Sequence, residues 1–503
     1  MRASHKLGLW LTALSLATGC QHSFTIDPEA PQKASPSNGK SLNDTPATDL
    51  LGPRPDLAAP RAFEPAPPDV FKVGPITVWL LARPRLPIVS ATFLVPCGGA
   101  SDGNGKPGTA WLTADMMDEG AGSRGAVELS TELQDLGASL GTSASADASF
   151  ASMTVLKKQF SKAFAILADV VARPRFEDKE YKRVHGLWQD ALKKRADDAA
   201  SLASVAGQAA IFGRDSAYGH PTLGWPSSSA AVSLDAVKQF HEAAWRPESL
   251  VLVIAGQIER AEVEAAVTRE LGKWAPKGTA LQKSEPASPL KDRPRLVLVS
   301  RPKAVQSALY VVRDGVRTGE PGSAPLDLVN TILGGSFTSR LNLNLREDKG
   351  WTYGARTGFS EMRGTGTFVA RAAVQAEFTG PALKETLDEL TKMASSGPTD
   401  SEVGKARAQD RADLVQTYET VAGASGRLAQ LAALGLPAGF DAAATRERAA
   451  ASHAELTRLA ASFVDPSKAT IVVVGDLDTI RPQLDALGLP APVIWDAEGR
   501  PSK

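Results

Sequence analysis

The sequence predicts an α+β protein with two tandem homologous halves, each made of helices packed on a mainly antiparallel sheet. Two pairs of landmarks lead to this prediction. Arg83 and Arg301 each precede a proline and a strand-like segment, and they are 218 residues apart. The apolar segments that end at Gly256 and Gly475 are 219 residues apart. Nearly equal spacings at the two ends of a unit indicate an internal repeat.

Residues 1–20 are typical of an export signal. Positive charge precedes the apolar stretch 7–17, which as a helix is about 16 Å long and too short for a hydrocarbon core of roughly 30 Å. Small residues then lead to Cys20, and this pattern resembles a bacterial lipoprotein signal whose cysteine becomes lipidated. Gln21 after the cysteine favours the outer membrane, facing the periplasm. An ordinary cleaved signal with a chance cysteine is the alternative.

Residues 21–60 have the composition of a flexible tether. They are rich in Pro, Ser, Asn and Asp, and their apolar residues are too sparse to offset the entropy lost on ordering. We therefore expect a lipid anchor that is joined by this tether to a globular body.

The globular body is predicted to divide into an N-terminal half at 61–283 and a C-terminal half at 284–497, with linker composition at 277–294. Each half shows strands first, then Ala-rich helical stretches, then a closing strand. In residues 156–172, for example, apolar side chains recur every three or four positions, which predicts an amphipathic helix. Strands and helices in this order favour helices that cover a sheet.

Composition excludes several classes of function. The chain has 56 Lys and Arg against 56 Asp and Glu, so no basic field favours nucleic acid as a partner. Two cysteines exclude a disulfide framework and a Cys-rich metal site. No two of the six histidines lie within five residues of each other, so no local pair of histidines can bind zinc.

Residues 97–120 predict a strand, a Gly-rich turn and a helix, but they do not fit a phosphate loop because Pro107 follows Lys106. The segment resembles the pitrilysin/insulinase family of zinc peptidases, whose helix here carries H-x-x-E-H. The resemblance extends over most of residues 65–490 and implies a clam-like architecture. Its further matching stretches, in order, are YGHPTLG at 218–224, FHEAAWRP at 240–247, LGGSFTSRL at 333–341 and LREDKGWTYG at 345–354.

The family's metal positions are where this sequence departs from the pattern. Trp111 and Asp115 stand in place of the two histidines, and Ala114 stands in place of the glutamate. The third ligand of the family falls near Asp190 or Ala191. Zinc requires three protein ligands with N, O or S donors, and these positions supply two carboxylates at best. We predict no metal in this chain, a catalytically silent N-terminal half, and zinc in a partner chain.

Two residues of the C-terminal half match family residues that assist a partner's zinc site. The resemblance implies that Arg346 binds a substrate backbone carbonyl and that Tyr353 places its hydroxyl on the oxyanion of the tetrahedral intermediate. The alternative is structural, with Arg346 at a helix end near an acid and Tyr353 packed in a core.

The segment before this pair is the predicted site of peptide binding. It comprises Gly334, Gly335, Ser336 and Phe337. The two glycines are compatible with a loop that lets a ligand approach the backbone, but a plain turn is the simpler interpretation.

The resemblance thus implies a zinc-less, lipid-anchored subunit that forms a heterodimer with a zinc-bearing family member and acts on peptide substrates. One alternative is a scaffold or peptide-binding module of the same fold with no part in proteolysis. Another is a peptidase with a different nucleophile, but no G-x-S-x-G motif supports it.

Overall fold

The computed structural model describes residues 63–103, 106–276, 278–281 and 288–502. The predicted signal, with Cys20, and the predicted tether lie outside these residues. The described part of the chain belongs to one compact unit that contains both sheets. Within it, no helix is both long and apolar enough to span a bilayer.

The first half contains a six-stranded sheet and a short two-stranded ribbon. Its strands are β1 Asp69–Val73, β2 Ile76–Ala82, β3 Ile88–Val95, β4 Gly120–Ala121, β5 Arg124–Gly125, β6 Ser139–Ala144, β7 Ser149–Leu156 and β8 Val251–Gly256. The order in the large sheet is β1-β2-β8-β3-β7-β6, and only β2 and β8 are parallel neighbours. β4 and β5 form the ribbon.

The second half contains another six-stranded sheet. Its strands are β9 Leu296–Ser300, β10 Gln306–Asp314, β11 Thr352–Phe359, β12 Thr367–Gln375, β13 Thr470–Gly475 and β14 Val493–Trp495, in the order β11-β12-β10-β13-β9-β14. Five strands repeat the order of the first sheet. The sixth differs, because β14 comes from the end of its half and runs parallel to β9. The predicted fold class, two homologous halves with mainly antiparallel sheets, is confirmed.

Helices cover both sheets, as the order of apolar segments predicted. In the first half they are α1 Thr109–Met117, α2 Ala126–Asp135, α3 Phe160–Ala172, α4 Asp178–Ala196, α5 Ala199–Phe212, α6 Leu234–Ala244 and α7 Arg260–Leu271. In the second half they are α8 Ser323–Asn330, α9 Arg340–Asn342, α10 Thr379–Ser396, α11 Asp400–Glu419, α12 Val421–Leu434, α13 Phe440–Ala450, α14 His453–Phe463 and α15 Leu477–Asp485. The predicted amphipathic stripe of α3 is buried.

The two halves exchange one helix each. α12 of the second half packs on the first sheet, where its apolar side chains meet Trp79, Leu94 and Val253. α5 of the first half packs on the second sheet against Ala308 and Val472. Each sheet is therefore covered on one face by a helix from the other half, and the apolar cores of the halves depend on each other.

Polar contacts also join the halves. Arg363, between β11 and β12, donates through its guanidinium to the carbonyl oxygens of Pro96 (3.1 Å) and Asp147 (3.0 Å) of the first half. The Arg363 amide donates to the buried carboxylate of Asp147 at 2.9 Å, and the Tyr218 hydroxyl donates to the same carboxylate. The two halves are thus joined close to the Gly-rich turn that leads to α1.

Candidate functional site

The Gly-Gly segment of the second half forms a π-helical turn, Thr331–Gly335, at the end of α8. A plain turn was the simpler expectation, and the structure replaces it with this helical end. A Cβ atom on Gly334 would lie 2.4 Å from the Thr357 amide nitrogen of β11, and one on Gly335 would lie 2.9 Å from Asn330 Nδ2. Close packing against the backbone of β11 therefore requires glycine at buried position 334, whereas at exposed Gly335 the neighbouring Asn330 side chain could shift to make room.

Asn342 connects this segment to β11. It is fully buried, and its Nδ2 donates to the Ser336 carbonyl oxygen at 2.9 Å while its Oδ1 accepts from the Ala355 amide at 2.9 Å. Thr357 makes a parallel link through a 2.8 Å hydrogen bond from its hydroxyl to Asn330 Oδ1. A buried side-chain amide with satisfied donors and acceptors fixes the backbone around it. Asn342 is a positioning residue that the sequence analysis did not identify.

Tyr353 lies in a β-bulge at the start of β11. Thr352 pairs with Val374 of β12 and Ala355 with Ala372, so two residues of β11 stand opposite one residue of β12. A bulge of this kind bends the strand and changes where a side chain points. The Tyr353 side chain is 91% exposed. The alternative that Tyr353 packs in a core is therefore wrong.

Arg346 lies in a second π-helical turn, Leu343–Asp348, and contacts Phe337. Its guanidinium carbon is 4.5 Å from the centre of the half-exposed Phe337 ring, and its Nε is 3.3 Å from a carboxylate oxygen of Glu347. The side chain remains 37% exposed, so this surface ion pair leaves hydrogen-bond donors open to solvent. The structure thus brings Arg346 together with the predicted peptide-binding segment through Phe337, and it also contains the nearby acid that the structural alternative expected.

The backbone between Arg346 and Tyr353 is closed by two hydrogen bonds. The Gly350 amide donates to the Arg346 carbonyl oxygen at 3.0 Å, and the Trp351 amide donates to the Leu345 carbonyl oxygen at 3.0 Å. Arg346 and Tyr353 consequently sit on two consecutive, tightly linked elements.

In the first half, the positions that the sequence resemblance aligns with metal ligands lie on α1 beside an aromatic cluster. The half-buried Trp111 ring stacks on fully buried Trp188 of α4, with ring centres 6.2 Å apart and planes at 26°. Trp188 Nε1 donates to the Leu223 carbonyl oxygen at 2.9 Å, and His185 contacts the Trp188 ring edge-on. Ala114 is buried, and Asp115 is partly exposed.

Two family models match the chain in succession. A model described as insulinase (peptidase family M16) matches residues 77–206, and a model described as the peptidase M16 inactive domain matches residues 231–409. The chain belongs to the M16 peptidase family.

Among curated relatives, an uncharacterized zinc protease of Mycobacterium tuberculosis is 26% identical over 356 residues, which cover 69% of this chain and 78% of the relative. Two solved structures share the fold. The peptidase M16 inactive domain from Pseudomonas fluorescens has a TM-score of 0.75 and 24% identity, covering 81% of this chain and 98% of its own. A chain of complex III2 from Candida albicans has a TM-score of 0.70 and 14% identity, covering 83% of this chain and 99% of its own.

The side chains that the resemblance aligns with the family's metal positions do not fit a zinc ion. Trp111 and Ala114 have no lone pair to offer a metal, which leaves Asp115 on this helix. Asp190 of α4 is 74% exposed and pairs with Lys193 at 3.3 Å. Across the residues that the structure describes, no three His, Cys, Asp or Glu side chains are grouped to hold a metal ion.

The histidines of the M16-like stretches serve as internal hydrogen-bonding groups. A ring nitrogen of buried His241 is 2.9 Å from the Val171 carbonyl oxygen, and burial lowers the His241 pKa to about 4. His220 is buried beside the Pro221 carbonyl oxygen, and burial lowers its pKa as well. A neutral imidazole in each position can donate one hydrogen bond to its backbone partner.

Proposed function

We propose that this chain is the zinc-less subunit of a heteromeric M16 peptidase. In this proposal a separate chain with an H-x-x-E-H helix holds zinc and activates water. Arg346 and Tyr353 of the present chain contact the peptide whose bond is hydrolysed. The observation that carries the proposal is the 91% exposure of Tyr353 at a bulge whose strand is tied down by buried Asn342. A large aromatic side chain held in solvent by a rigid frame is poised to contact another molecule.

Each of the two residues has a distinct chemical role in the proposal. The Tyr353 hydroxyl donates to the oxygen that becomes negative when water adds to the scissile carbonyl, and removing such a donor typically lowers the rate by about 10²–10³. The Arg346 guanidinium, steadied against Phe337, donates to a carbonyl oxygen of the bound peptide. Ser336, Gly335 and Phe337 form the adjoining surface for the peptide.

Reconstitution tests this proposal. The chain is mixed with a zinc-bearing M16 protein of the same organism, and peptide hydrolysis is measured for each chain alone and for the mixture. We expect hydrolysis from the mixture, its loss on addition of a chelator, and none from this chain alone. Chelator-sensitive hydrolysis by this chain alone would contradict the zinc-less assignment.

Variants of the mixture test the two residues. Tyr353→Phe should lower kcat by about 10²-fold because the hydroxyl is lost while the ring remains. Arg346→Ala should mainly raise KM because it removes a contact with the bound peptide. Arg458→Ala, an exposed arginine on α14, is the matched control and should behave as wild type. Unchanged kinetics in both test variants, with the complex intact, would refute their assigned roles.

A scaffold role is the second candidate. It is supported by the similarity of fold to a chain of complex III2 from Candida albicans. It predicts that the chain co-purifies with a stable assembly and that Tyr353→Phe and Arg346→Ala change neither peptide hydrolysis nor assembly.

We also propose that lipidation of Cys20 anchors the chain to the outer membrane, facing the periplasm. Labelling cells with a radioactive fatty acid should mark the wild-type chain, and Cys20→Ser should abolish both the label and recovery in the membrane fraction. Equal membrane recovery of the variant would contradict the anchor.

A further inference from the structure

Two arginines lie directly opposite each other on the face of the second sheet that α5 partly covers. Arg356 of β11 pairs in register with Arg371 of β12, and Arg371 pairs on its other side with Tyr310 of β10. Side chains at directly opposed positions have Cβ atoms about 4.5–5.5 Å apart, and like charges there are destabilising. Both arginines are exposed.

The Arg356/Arg371 pair has no neutralising carboxylate in the part of the chain that the structure describes. Among the described residues, neither of these two exposed side chains has an Asp or Glu oxygen within 4.0 Å, whereas exposed Arg260 pairs with Glu264 at 2.8 Å. The corresponding row of the first sheet, Gly141 opposite Ser152, carries no charge. The matching row of the first sheet thus has the same topology without charge, and a carboxylate bound between the two arginines would reduce their repulsion.

The arginine pair shares its face of the sheet with the proposed catalytic tyrosine. Tyr310, next to Arg371, lies under α5 of the first half, where its ring would be 2.6 Å from a Cβ atom added to Gly207. The bulge places Tyr353 opposite Ala373, which is exposed two residues along β12 from Arg371. Residues i and i+2 of a strand point to the same side, so Tyr353 and the arginines face the same space beside α5.

A cavity of about 350 Å³ adjoins this face at the N-terminal end of α5. Ala308 and Ala373 line it, and their small side chains leave room above the sheet. Arg301 and Lys303 line it too, and in the described structure neither has an acidic partner within 4.0 Å. Asp198 is the single acid in its lining, and its Oδ1 already accepts from the Ser201 amide at 2.8 Å.

We propose that this surface, from the cavity to the Arg356/Arg371 pair, binds carboxylate side chains of an extended acidic peptide. The proposal rests on the function proposed above, and it gives the substrate class: peptides with Asp or Glu near the bond presented to Tyr353. Guanidinium groups bind carboxylates through two parallel hydrogen bonds, and one carboxylate between the two arginines would also offset part of their repulsion.

Peptide binding to the full chain without any partner tests the proposal. The probe is a fluorescently labelled peptide of Ala, Ser and Glu, compared with the same peptide carrying Gln in place of Glu, and Kd is measured by fluorescence anisotropy at several salt concentrations. We expect the Glu peptide to bind about tenfold more tightly than the Gln peptide. The double variant Arg356→Gln/Arg371→Gln should abolish this preference and reduce the salt dependence.

The control variant Arg458→Gln/Arg481→Gln removes the same charge from exposed positions on α14 and α15 and should keep the preference. Equal binding of the two peptides to the wild type would overturn the proposal. It would also be overturned if the control variant lost the preference for the Glu peptide as fully as the Arg356→Gln/Arg371→Gln variant does. Because no hydrolysis is measured, failure of the reconstitution does not affect this result. As an independent check, Arg371→Gln should keep or raise Tm, and a fall of several degrees would show a structural role instead.

Discussion

The two exchanged helices, α5 and α12, occupy matching places but are held differently. α12 carries Arg427, which bonds both carboxylate oxygens of buried Asp441 at 2.9 and 2.8 Å. The Tyr418 hydroxyl donates to Asp441 at 2.8 Å, and Arg83 of the first half donates to the Tyr418 carbonyl oxygen at 2.8 Å. α5 contains no charged residue. α12 is thus held by a charged network, and α5 is held by close apolar packing.

This difference predicts which kinds of substitution destabilise each helix. A buried ion pair makes a helix sensitive to removal of one charge, because the remaining charge is left without a partner. Close packing makes a helix sensitive to added volume. Gly207 of α5 and Gly426 of α12 are 219 residues apart, the spacing of the repeat, and permit a direct test of this contrast.

The largest expected effect is that of Asp441→Ala. It removes the bidentate partner of Arg427 and leaves Glu361, at 3.1 Å, as the remaining acid beside that guanidinium, so we expect the free energy of unfolding to fall by about 3 kcal/mol. Urea denaturation followed by circular dichroism measures the change. Glu64→Ala, which removes an exposed partner of Arg446, is the control and should change stability by less than about 1 kcal/mol. A similarly small change for Asp441→Ala would refute the importance of the network.

Gly207→Ala should produce the next largest effect. The new Cβ would lie 2.6 Å from Cε1 of the Tyr310 ring, which packs between α5 and the second sheet. We expect a loss of about 1–3 kcal/mol from overpacking, measured by urea denaturation. In the double variant Gly207→Ala/Tyr310→Ala, the loss of unfolding free energy should be smaller than the sum of the two single losses, because the clash is gone. Strict additivity of the two changes would argue against a clash.

A smaller effect is expected from pH. Burial raises the Asp441 pKa, but hydrogen bonds and charge from Arg427 outweigh it, so the folded-state pKa lies below the ordinary value of 3.8. The network's contribution is therefore complete well above pH 3.8 and is lost as pH falls through the lower folded-state pKa. We expect the stability difference between wild type and Asp441→Asn to shrink between pH 6 and pH 3. A constant difference would contradict this account.

Gly426→Ala should have the smallest effect, and it should have the opposite sign to Gly207→Ala. No atom lies within 4 Å of the added Cβ, and the position is exposed. Replacing glycine by alanine within a helix should raise stability by about 0.5–1 kcal/mol. Thermal unfolding of Gly207→Ala and Gly426→Ala side by side measures the contrast in stability. Destabilisation by Gly426→Ala would contradict the expected difference in sign.

Local patterns predicted the elements of the fold well. The closing strand of the second half occupies Thr470–Gly475 as its apolar run indicated, and the amphipathic stretch at 156–172 becomes α3 after one preceding turn. These segments are specified by their own periodicity, because a buried strand or an amphipathic helix shows the same pattern whatever covers it.

Periodicity could not predict the helix exchange or the details of the candidate site. An apolar helix face packs equally well on the sheet of its own half or on that of the other half. The sequences of α5 and α12 therefore do not indicate which sheet each helix covers. The bulge at Tyr353 depends on pairing with β12, which is a non-local contact. Asn342 stands between leucines in the sequence, and its value as a buried link to Ala355 appears only when β11 is placed beside it.

The exchange of helices also sets the order in which the apolar cores can close during folding. The apolar face formed by Trp79, Leu94 and Val253 has no cover until α12 docks, although every strand of its own sheet precedes α12 in the chain. A folding intermediate with only the first sheet would therefore expose an apolar surface, and it should bind holdase chaperones until α12 docks.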